Sequence, residues 1–546
     1  MTGKITGISG TTVTVDAKGL KLYERVYAGN SMLTGEVVRI RGDQSVIQVY
    51  ENTRGLAVGE PVTGTGTPLT ARLGPGLLSG IFDGLQRPLQ RLSAFMTPLN
   101  EEIHALDYSG RWKFHPVKKK DDRVERGDII GYFEELHIRH PVIFDNEHSG
   151  RISWIAEGEI ALSNPVAVLE GGAEISGYHE WPVRTPRPYK KKYPPSAPLV
   201  TGQRVIDFLF TMTKGGTAIL PGGFGTGKTV LEQSIAKFTD MDIVIYAGCG
   251  ERGNEMAELI EEFKFLQDPW TKKRLMERTI MIVNTSNMPV AAREASIYTA
   301  ATIAEYYRDM GLHVLLLADS ISRWAEALRE ISSSLEELPG EEGYPTYLNS
   351  RLSGFFERAG VVETMSGSTG SLSIILSVSP PGGDLTDPVT QSCLRSTGTF
   401  LMLDTSLAHR RHFPAVNWFQ SYSLYGEGIP GYFTEKVSTQ WVDSQLMCKE
   451  ILQKEEALKE VVEIVGVEGL QDADRLLMHT AGRIRLEFLC QNAYTDDAFS
   501  TPLQTHSKIK HILDFYTDAL KKLGQGISLD DILTQTSITT SRHKGE

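Results

Sequence analysis

A glycine-rich segment at residues 222–229 has the residue types and spacing of a phosphate-binding loop. It reads Gly-Gly-Phe-Gly-Thr-Gly-Lys-Thr and matches the pattern G-x-x-x-x-G-K-[ST]. Because glycine has no Cβ, the backbone amides from Gly225 to Lys228 can surround a β-phosphate, and the positive end of a following helix adds to the attraction. Lys228 then neutralises β- and γ-phosphate oxygens, and the Thr229 hydroxyl is a ligand for Mg²⁺. The nucleotide-binding residues predicted from this segment are Gly222, Gly223, Phe224, Gly225, Thr226, Gly227, Lys228, Thr229 and Val230.

The flanks of this loop have the character that a phosphate-binding loop requires. Residues 216–220 are short, apolar and partly β-branched, as a buried strand would be. Pro221 and the glycines then interrupt regular structure, and residues 229–236 have helical spacing. A glycine turn that fits the pattern by chance is the alternative, and the order of strand, glycine loop and helix argues against it.

An acidic residue at the end of an apolar run is the second candidate. Asp319 follows residues 312–318, which read as a buried strand, so it lies at the edge of the sheet where ligands bind in open α/β folds. An acid in this position is also common as a helix N-cap. Downstream of a phosphate loop, we predict that Asp319 supports Mg²⁺ beside Thr229.

The strand that follows the loop predicts a catalytic carboxylate. Residues 243–246 are apolar, and the glycine turn after them carries Glu251 and Arg252 to the same edge of the sheet. Glu251 is then placed to polarise an attacking water, and Arg252 to pair with phosphate or with the carboxylate. The spacing alone favours an ordinary surface ion pair, so that alternative stays open. Arg293, farther along the chain, is interpreted as structural.

Aromatic residues on loops are candidates for contact with an adenine base. Phe413 lies in the segment 413–418, Phe-Pro-Ala-Val-Asn-Trp, where proline stiffens the loop. Tyr494 or Phe499 is placed to cover the other face of the base. Core packing is the ordinary role of any one of these side chains, so each assignment competes with it. The expected ligands are ATP or ADP with Mg²⁺.

The composition indicates a large, acidic, globular protein. The 546 residues carry 56 Lys and Arg against 68 Asp and Glu, a net charge of −12, and exceed what one hydrophobic core usually supports. The acidic balance argues against nucleic acid as a partner. The four cysteines lack a C-x-x-C spacing, which predicts buried free thiols rather than disulfides or a zinc site. No apolar run has the length of a membrane-spanning helix, which predicts a cytoplasmic protein.

Changes in residue pattern predict a multidomain protein. Short strands punctuated by glycine indicate an N-terminal β-barrel at residues 1–70. A nucleotide-binding domain begins at residues 71–111, is interrupted by an inserted β-rich module at residues 112–184, and continues through residues 185–433. There apolar strands alternate with helices, which predicts a central α/β domain with a mainly parallel sheet. Amphipathic segments predict a C-terminal helical bundle at residues 434–546.

Helical segments are predicted on both sides of the α/β domain. Residues 73–78 and then 81–88, which carry glycine and proline signals, are interpreted as a helical piece. Residues 449–465 and 505–522 have amphipathic spacing and predict longer helices.

Several segments together resemble the catalytic A subunit of V/A-type rotary ATPases, and the resemblance spans essentially the whole chain. The segments that carry it are 73–78 (LGPGLL), 81–88 (IFDGLQRP), 201–207 (TGQRVID), 222–229, 250–255 (GERGNE), 318–327 (ADSISRWAEA), 379–384 (SPPGGD) and 413–418 (FPAVNW). The module at residues 112–184 is similar to the extra domain that separates this subunit from its shorter F-type β counterpart. The resemblance implies a RecA-like fold for the nucleotide domain.

The resemblance also implies roles for individual residues. Lys228 and Thr229 would bind phosphate and Mg²⁺, Glu251 would activate water, Arg252 would contact phosphate, and Phe413 would lie against adenine. The spacing alone favoured a surface ion pair at Glu251, whereas the resemblance favours the role of a catalytic carboxylate.

The partners implied by the resemblance are the other members of a rotary complex. Three A and three B subunits would form an alternating ring, in which an arginine of the B subunit completes each catalytic site. Central-stalk and peripheral-stalk subunits, and indirectly a membrane rotor sector, would hold the ring at the cytoplasmic face of a membrane. The transported ion, H⁺ or Na⁺, and the direction, synthesis or hydrolysis, depend on other subunits and on the ion gradient. Thr226 stands where eukaryotic vacuolar members typically carry cysteine, which favours a bacterial or archaeal complex.

Three other kinds of protein remain as alternatives. A flagellar or type III export ATPase resembles this fold but is shorter and lacks the inserted β module. A hexameric RNA translocase is disfavoured by the acidic balance and by the missing RNA-binding stretch. A non-catalytic nucleotide-binding ring subunit, such as the B subunit, is opposed by the intact phosphate loop and by Glu251.

Overall fold

The computed structural model describes residues 2–89, 104–145, 149–426 and 429–534, and the chain divides into two compact units. The segments of the first unit are Met1–Pro195, Lys214–Pro221 and Met241–Thr397. The segments of the second unit are Ser196–Thr213, Gly222–Asp240 and Gly398–Glu546. The phosphate-binding loop therefore opens a segment of the second unit, directly after a strand of the first.

A closed barrel begins the first unit. Its strands are β1 (Thr2–Ser9), β2 (Thr12–Asp16), β3 (Glu24–Ala28), β4 (Leu33–Arg41), β5 (Gln44–Val49) and β6 (Pro61–Pro68). The strands are ordered β1-β2-β5-β4-β3-β6, and β1 closes the barrel by pairing with both β2 and β6. Burial alternates along β3, as expected when one face of each strand points to the barrel core. The predicted N-terminal barrel is confirmed.

The helical interpretation of residues 73–78 and 81–88 is wrong. Two short strands follow the barrel, β7 (Thr70–Leu73) and β8 (Ile81–Phe82). Ile81 and Phe82 are buried and pair in parallel with Met281 and Ile282. A short apolar run fits a helical turn and a buried strand equally well, and only pairing with a distant strand decides between them.

The inserted module is built from two four-stranded sheets. Its strands are β9 (Arg111–Pro116), β10 (Arg123–Val124), β11 (Ile129–Glu135), β12 (Ile138–Ile143), β13 (Gly150–Ile155), β14 (Gly158–Ala161), β15 (Pro165–Leu169), β16 (Glu174–Ser176) and β17 (His179–Pro182). One sheet has the order β10-β13-β15-β16 and the other β12-β11-β9-β14, while β17 pairs with β7. Phe114 and Phe133 are buried with ring centroids 5.1 Å apart. The β-rich character predicted for the module is confirmed.

A parallel sheet forms the centre of the first unit. The remaining strands of the chain are β18 (Lys191–Tyr193), β19 (Pro198–Leu199), β20 (Met212–Thr213), β21 (Thr217–Pro221), β22 (Ile243–Cys249), β23 (Thr279–Asn284), β24 (His313–Asp319), β25 (Gly360–Glu363), β26 (Thr369–Val378), β27 (Thr399–Phe400) and β28 (Tyr422–Ser423). In the first unit, neighbours run parallel in the order β21-β26-β24-β22-β23-β8. Every residue of β22 and β23 is buried, because strands of a parallel sheet are covered on both faces. The predicted parallel α/β sheet is confirmed.

The helices lie between the strands of the nucleotide-binding domain and in the C-terminal part of the chain. The α-helices in the described part of the chain are α1 (Lys228–Phe238), α2 (Gly253–Phe265), α3 (Val290–Asp309), α4 (Ile321–Ser334), α5 (Leu348–Phe356), α6 (Pro388–Leu394), α7 (Thr405–His409), α8 (Pro430–Lys436), α9 (Trp441–Val465), α10 (Asp472–Arg483) and α11 (Pro502–Gly524). Shorter 3₁₀ or π turns are Val205–Leu209, Leu275–Arg278, Glu341–Gly343, Pro381–Gly383, Val467–Gly469, Ile484–Leu489 and Asp496–Ala498. Among the described residues, no helix combines the length and apolar character needed to cross a membrane.

Ion pairs connect the barrel with helix α3 inside the first unit. Arg184 donates to Glu36 of β4 at 3.0 Å and to Glu294 of α3 at 2.6 Å. Farther along α3, Arg187 donates to Asp309 at 2.6 Å. Such pairs fix geometry because removing one partner leaves an uncompensated buried charge.

The second unit contains the helical bundle predicted at the C-terminal end of the chain. Trp441 of α9 is buried, stacks on Phe433 of α8 with centroids 4.2 Å apart, and meets the ring of Phe208 edge-on. A separate apolar cluster joins α10 and α11 through Leu476 and Ala519. The amphipathic spacing of these segments is thus explained by their packing against one another.

Candidate functional site

The phosphate-binding loop has the backbone conformation that its glycines allow. Gly225 and Gly227 have φ values of 78° and 80°, a region that is strained for other residues. A Cβ added at Gly225 would meet no atom within 4 Å, so the space beside the loop is open within the second unit. Helix α1 begins immediately afterwards at Lys228, so its N-terminal amides follow the loop directly. This arrangement is a ready anion site of the kind found at glycine loops before helices.

Side chains of the loop hold its curled shape. Thr226 is buried, and its hydroxyl donates to the Gly223 carbonyl oxygen at 2.9 Å. The Lys228 Nζ donates to the Gly222 carbonyl oxygen at 3.2 Å, so the ammonium group lies over the loop. These contacts place the positive charge of Lys228 over the curled backbone of the loop.

The structure brings Phe413 to the phosphate-binding loop. Leu403 forms bridges with both Gly222 and Val416, which places the loop that follows Phe413 beside the glycine loop. A Cβ added at Gly227 would come within 3.2 Å of the Phe413 ring. The ring is 38% exposed, so it offers an open aromatic face next to the anion site.

Gly227→Ala is expected to weaken ATP binding by about tenfold or more, because alanine is strained at this φ and its methyl group would press on the Phe413 ring. Gly524→Ala is the matched control, because Gly524 ends α11 with no atom within 4 Å of an added Cβ. Equilibrium ATP binding to the two variants gives the comparison. Equal affinities would contradict the role of this glycine.

The other two aromatic candidates lie in different environments of the second unit. Tyr494 is 85% exposed, with its backbone N–H bonded to the Asn492 side chain at 3.0 Å. Phe499 is half-buried, and its ring packs on Phe238 with centroids 5.5 Å apart and lies against Gly202. Phe499 therefore packs against its neighbours, which is the alternative to base contact that the sequence left open. The Tyr494 side chain is instead exposed to solvent.

Asp319 lies at the carboxyl end of β24 in the first unit. It is 1% exposed and accepts a hydrogen bond from the Ser377 hydroxyl of β26 at 2.5 Å. The N-cap of α4 is Ser320 and has no side-chain capping bond, so Asp319 does not serve as the cap. A buried carboxylate held by hydrogen bonding at the end of a strand is suited to support a metal-bound water.

Glu251 and Arg252 lie one strand away at the same edge of the sheet. Gly250 bends the chain with φ 77° after β22, and the Glu251 carbonyl oxygen accepts from the Ser286 amide at 3.0 Å. The parallel register places Gly248 of β22 opposite Asp319 of β24. Arg252 is largely exposed and pairs with Glu255 at 3.5 Å. The sequence left open a surface ion pair between Glu251 and Arg252. In the structure, Arg252 forms its exposed ion pair with Glu255 at the start of α2.

Two arginines surround the turn that carries Glu251. The side chains of Arg323 and Arg293 both pack against Gly250, where an added Cβ would lie 2.7 Å and 3.3 Å from them. A hydrogen bond with Glu326 and the nearby Glu251 charge raise the pKa of Arg323. The charges of Glu251 and Arg323 therefore lie close enough to interact.

The sequence missed the residues that hold these candidates in place. Ser377 lies just beyond the apolar run of β26, and Arg323 lies in α4, each far along the chain from its neighbour at the site. A polar residue at the end of a buried strand was the available signal for Ser377. In the described parts of the chain, no cluster of three or more His, Cys, Asp or Glu side chains forms a metal site. Burial raises the pKa of the Cys249 thiol to about 12, so this cysteine is inert.

Family models match four consecutive parts of the chain. They are described as the ATP synthase alpha/beta family beta-barrel domain at residues 5–66, and the ATPsynthase alpha/beta subunit barrel-sandwich domain at residues 103–184. The ATP synthase alpha/beta family nucleotide-binding domain matches residues 202–423, and the C-terminal domain of V and A type ATP synthase matches residues 430–533. Their order corresponds to the barrel, the inserted module, the parallel sheet with its loop, and the helical bundle.

Relatives are similar along nearly the whole chain. The A-type ATP synthase A subunit 2 of Methanospirillum hungatei JF-1 is 51% identical over 528 residues, covering 95% of this chain and 90% of that protein. The V-type ATP synthase alpha chain of Anaeromyxobacter dehalogenans strain 2CP-C is 49% identical over 539 residues, covering 98% of this chain and 93% of that protein. Among solved structures, the assembled ATPase EscN from the type III secretion system of enteropathogenic E. coli has a TM-score of 0.68. It is 22% identical and covers 93% of this chain and 99% of its own, which shows a shared fold alone.

Proposed function

Because this chain belongs to the family formed by the A subunits of A-type ATP synthases and the alpha chains of V-type ATP synthases, we propose that it is the catalytic subunit of a rotary ATPase. The observation that carries the proposal is the glycine loop with its lysine over the curled backbone and the Phe413 ring beside Gly227. An anion site beside an aromatic face fits a nucleoside triphosphate, which has an anionic triphosphate at one end and an aromatic base at the other. The reaction is the hydrolysis or synthesis of ATP.

The proposed chemistry assigns one task to each candidate residue. Lys228 holds the β- and γ-phosphates of ATP, and Phe413 and Tyr494 contact the adenine base. Glu251 polarises the water that attacks the γ-phosphorus in line with the leaving oxygen. Arg252 leaves its exposed pair with Glu255 to contact phosphate. In phosphoryl transfer the protein performs little covalent chemistry. Its main contribution is to stabilise the negative charge on the transferred phosphoryl group.

The chain has oxygen donors suited to Mg²⁺ bound together with nucleotide. Mg²⁺ prefers hard oxygen ligands and is usually held by one or two protein groups plus phosphate oxygens and waters. The Thr229 hydroxyl at the start of α1 and the buried Asp319 carboxylate at the end of β24 are each an oxygen donor of this kind, and a closed cage of protein ligands is not needed. When bound, the ion would neutralise charge that develops on the phosphates.

Membership of the family supports a proposal for the partners of this chain. We propose that the chain alternates with B subunits in a ring of three each, and that an arginine of the B subunit completes each catalytic site. Central-stalk and peripheral-stalk subunits would link the ring to a membrane rotor that carries H⁺ or Na⁺. The chain would then work at the cytoplasmic face of the membrane.

An export ATPase is the weaker alternative. The type III secretion ATPase shares 22% of its residues with this chain, whereas the relatives from A-type and V-type ATP synthases share 49–51% over nearly the full length. A non-catalytic ring subunit is opposed by the intact phosphate-binding loop and by Glu251.

Co-purification tests the proposal directly. The tagged full-length chain, isolated gently from its source cells, is expected to bring down B, stalk and rotor subunits together with ATPase activity. Assaying that activity across a range of Na⁺ concentrations at fixed pH distinguishes a Na⁺-coupled from a H⁺-coupled complex. Recovery of the chain without ring partners, or with a secretion apparatus, would contradict the proposal.

A further inference from the structure

Gln491 is hydrogen-bonded to three separate points around the candidate base-binding residues of the second unit. Its backbone N–H donates to the Phe413 carbonyl oxygen at 2.7 Å. Its side-chain Nε2 donates to the Gly202 carbonyl oxygen at 2.9 Å, and its Oε1 accepts from the Arg204 backbone N–H at 2.9 Å. The residue is 2% exposed, so water cannot replace these bonds.

The side-chain amide of Gln491 is uniquely suited to this position. One neighbour is a carbonyl oxygen and the other an N–H group, so only a side chain with both a donor and an acceptor satisfies them. Glutamate offers the acceptor alone when ionised, and methionine of similar size offers neither. The bonds therefore depend on the chemistry of glutamine rather than on its volume.

The partners of Gln491 are themselves fixed. The Arg204 guanidinium is 1% exposed and donates to the carbonyl oxygens of Phe488 and Cys490 at 2.6 Å and 2.7 Å. It also forms a bidentate pair with Asp497 at 2.6 Å and 2.7 Å. The chain on both sides of Gln491 is thus attached to one buried cation, and Gln491 is part of a connected hydrogen-bond network.

Gln491 stands between the two exposed aromatic candidates. Through its backbone it holds Phe413, whose ring lies beside Gly227 of the phosphate-binding loop. Three residues later the chain presents Tyr494, after a turn in which the Asn492 side chain accepts from the Tyr494 amide. Gln491 is therefore connected to the chain segments that carry both rings.

We propose that Gln491 is a positioning residue that places Phe413 and Tyr494 for the nucleotide base and so determines how tightly the base is bound. It touches no substrate and acts through these two rings. The inference rests on the proposed function, because it requires that the two rings contact the base of ATP.

The test compares two probes on two matched variants of the full-length chain. ATP carries a base, whereas inorganic tripolyphosphate carries only the phosphates. Gln491→Met removes both side-chain bonds. Gln504→Met removes the capping box of α11, where Gln504 bonds Thr501, and so makes the same substitution in the same unit away from both rings.

Gln491→Met is expected to raise the Kd for ATP about tenfold and to change the Kd for tripolyphosphate less than about twofold, while Gln504→Met leaves their ratio unchanged. If Gln491→Met does not fold, Gln491→Glu retains the acceptor for Arg204 and is expected to show the same loss of selectivity. Equal weakening of both probes, or no weakening, would overturn the positioning role. If the wild-type chain binds neither ATP nor tripolyphosphate, the proposed function is refuted, and the inference is refuted with it.

Discussion

Glu251→Gln in the assembled complex is expected to lower ATP turnover by about 10²–10⁴-fold, with ATP affinity within about twofold of wild type. The amide has the same shape as the carboxylate but cannot polarise water by accepting its proton. Phosphate binding is assigned to Lys228 and the glycine loop, which this substitution leaves intact. The expected signature is a fall in kcat with little change in KM.

Glu258→Gln is the matched control for this experiment. Glu258 lies exposed on α2, the helix that begins after the Glu251 turn, so the same loss of charge is introduced nearby on the same element. Steady-state ATPase assays with both variants, together with ATP binding, separate turnover from affinity. Near-normal hydrolysis by Glu251→Gln would remove Glu251 from the mechanism, and lost binding would instead assign it to nucleotide affinity.

Local patterns were sufficient for elements whose sequence signal is strong and short in range. Alternation along residues 12–15 and 35–40 predicted barrel strands because one face of each strand packs into a closed core. Apolar runs at residues 243–246 and 313–318 predicted parallel strands because both of their faces are covered.

Long-range pairing decided the element that was predicted wrongly. Residues 81–88 have glycine and proline signals that suit a helical turn, yet Ile81 and Phe82 complete the edge of a sheet beside Met281 and Ile282. Gly84 lies so close to the Ala292 carbonyl that an added Cβ would be 2.2 Å from its oxygen. Neither relation can be seen in a local window of sequence.

The candidate site shows the same division between local and distant information. The glycine loop and the acids after two strands could be chosen as candidates from the sequence, because each signal lies within a few neighbouring residues. Ser377 and Gln491 could not, because each acts on a residue more than fifty positions away in the chain. Side chains that position a reactive group are recognised by their contacts, and contacts of that range require the folded chain.

The chain purified by itself is expected to hydrolyse ATP about 10³–10⁵-fold more slowly than the same chain in the assembled ring. In the described first unit, the two arginines that pack beside the Glu251 turn have partners in this chain: Arg323 pairs with Glu326 at 2.8 Å, and Arg293 donates to the Ser286 carbonyl oxygen at 3.0 Å. An arginine from a neighbouring B subunit is therefore the proposed source of the additional charge on the transition state.

The measurement is a titration of the purified chain with B subunits, in which kcat and ATP binding are followed together. Binding by the chain alone should already be present, because the glycine loop, Lys228 and Phe413 belong to one unit of this chain. Turnover should rise only as rings form, and a B subunit in which the candidate arginine is replaced by alanine should restore assembly without restoring turnover. Full activity of the isolated monomer would show that the chain completes its own site, and rotation would then have to be coupled to the reaction by something other than a shared arginine.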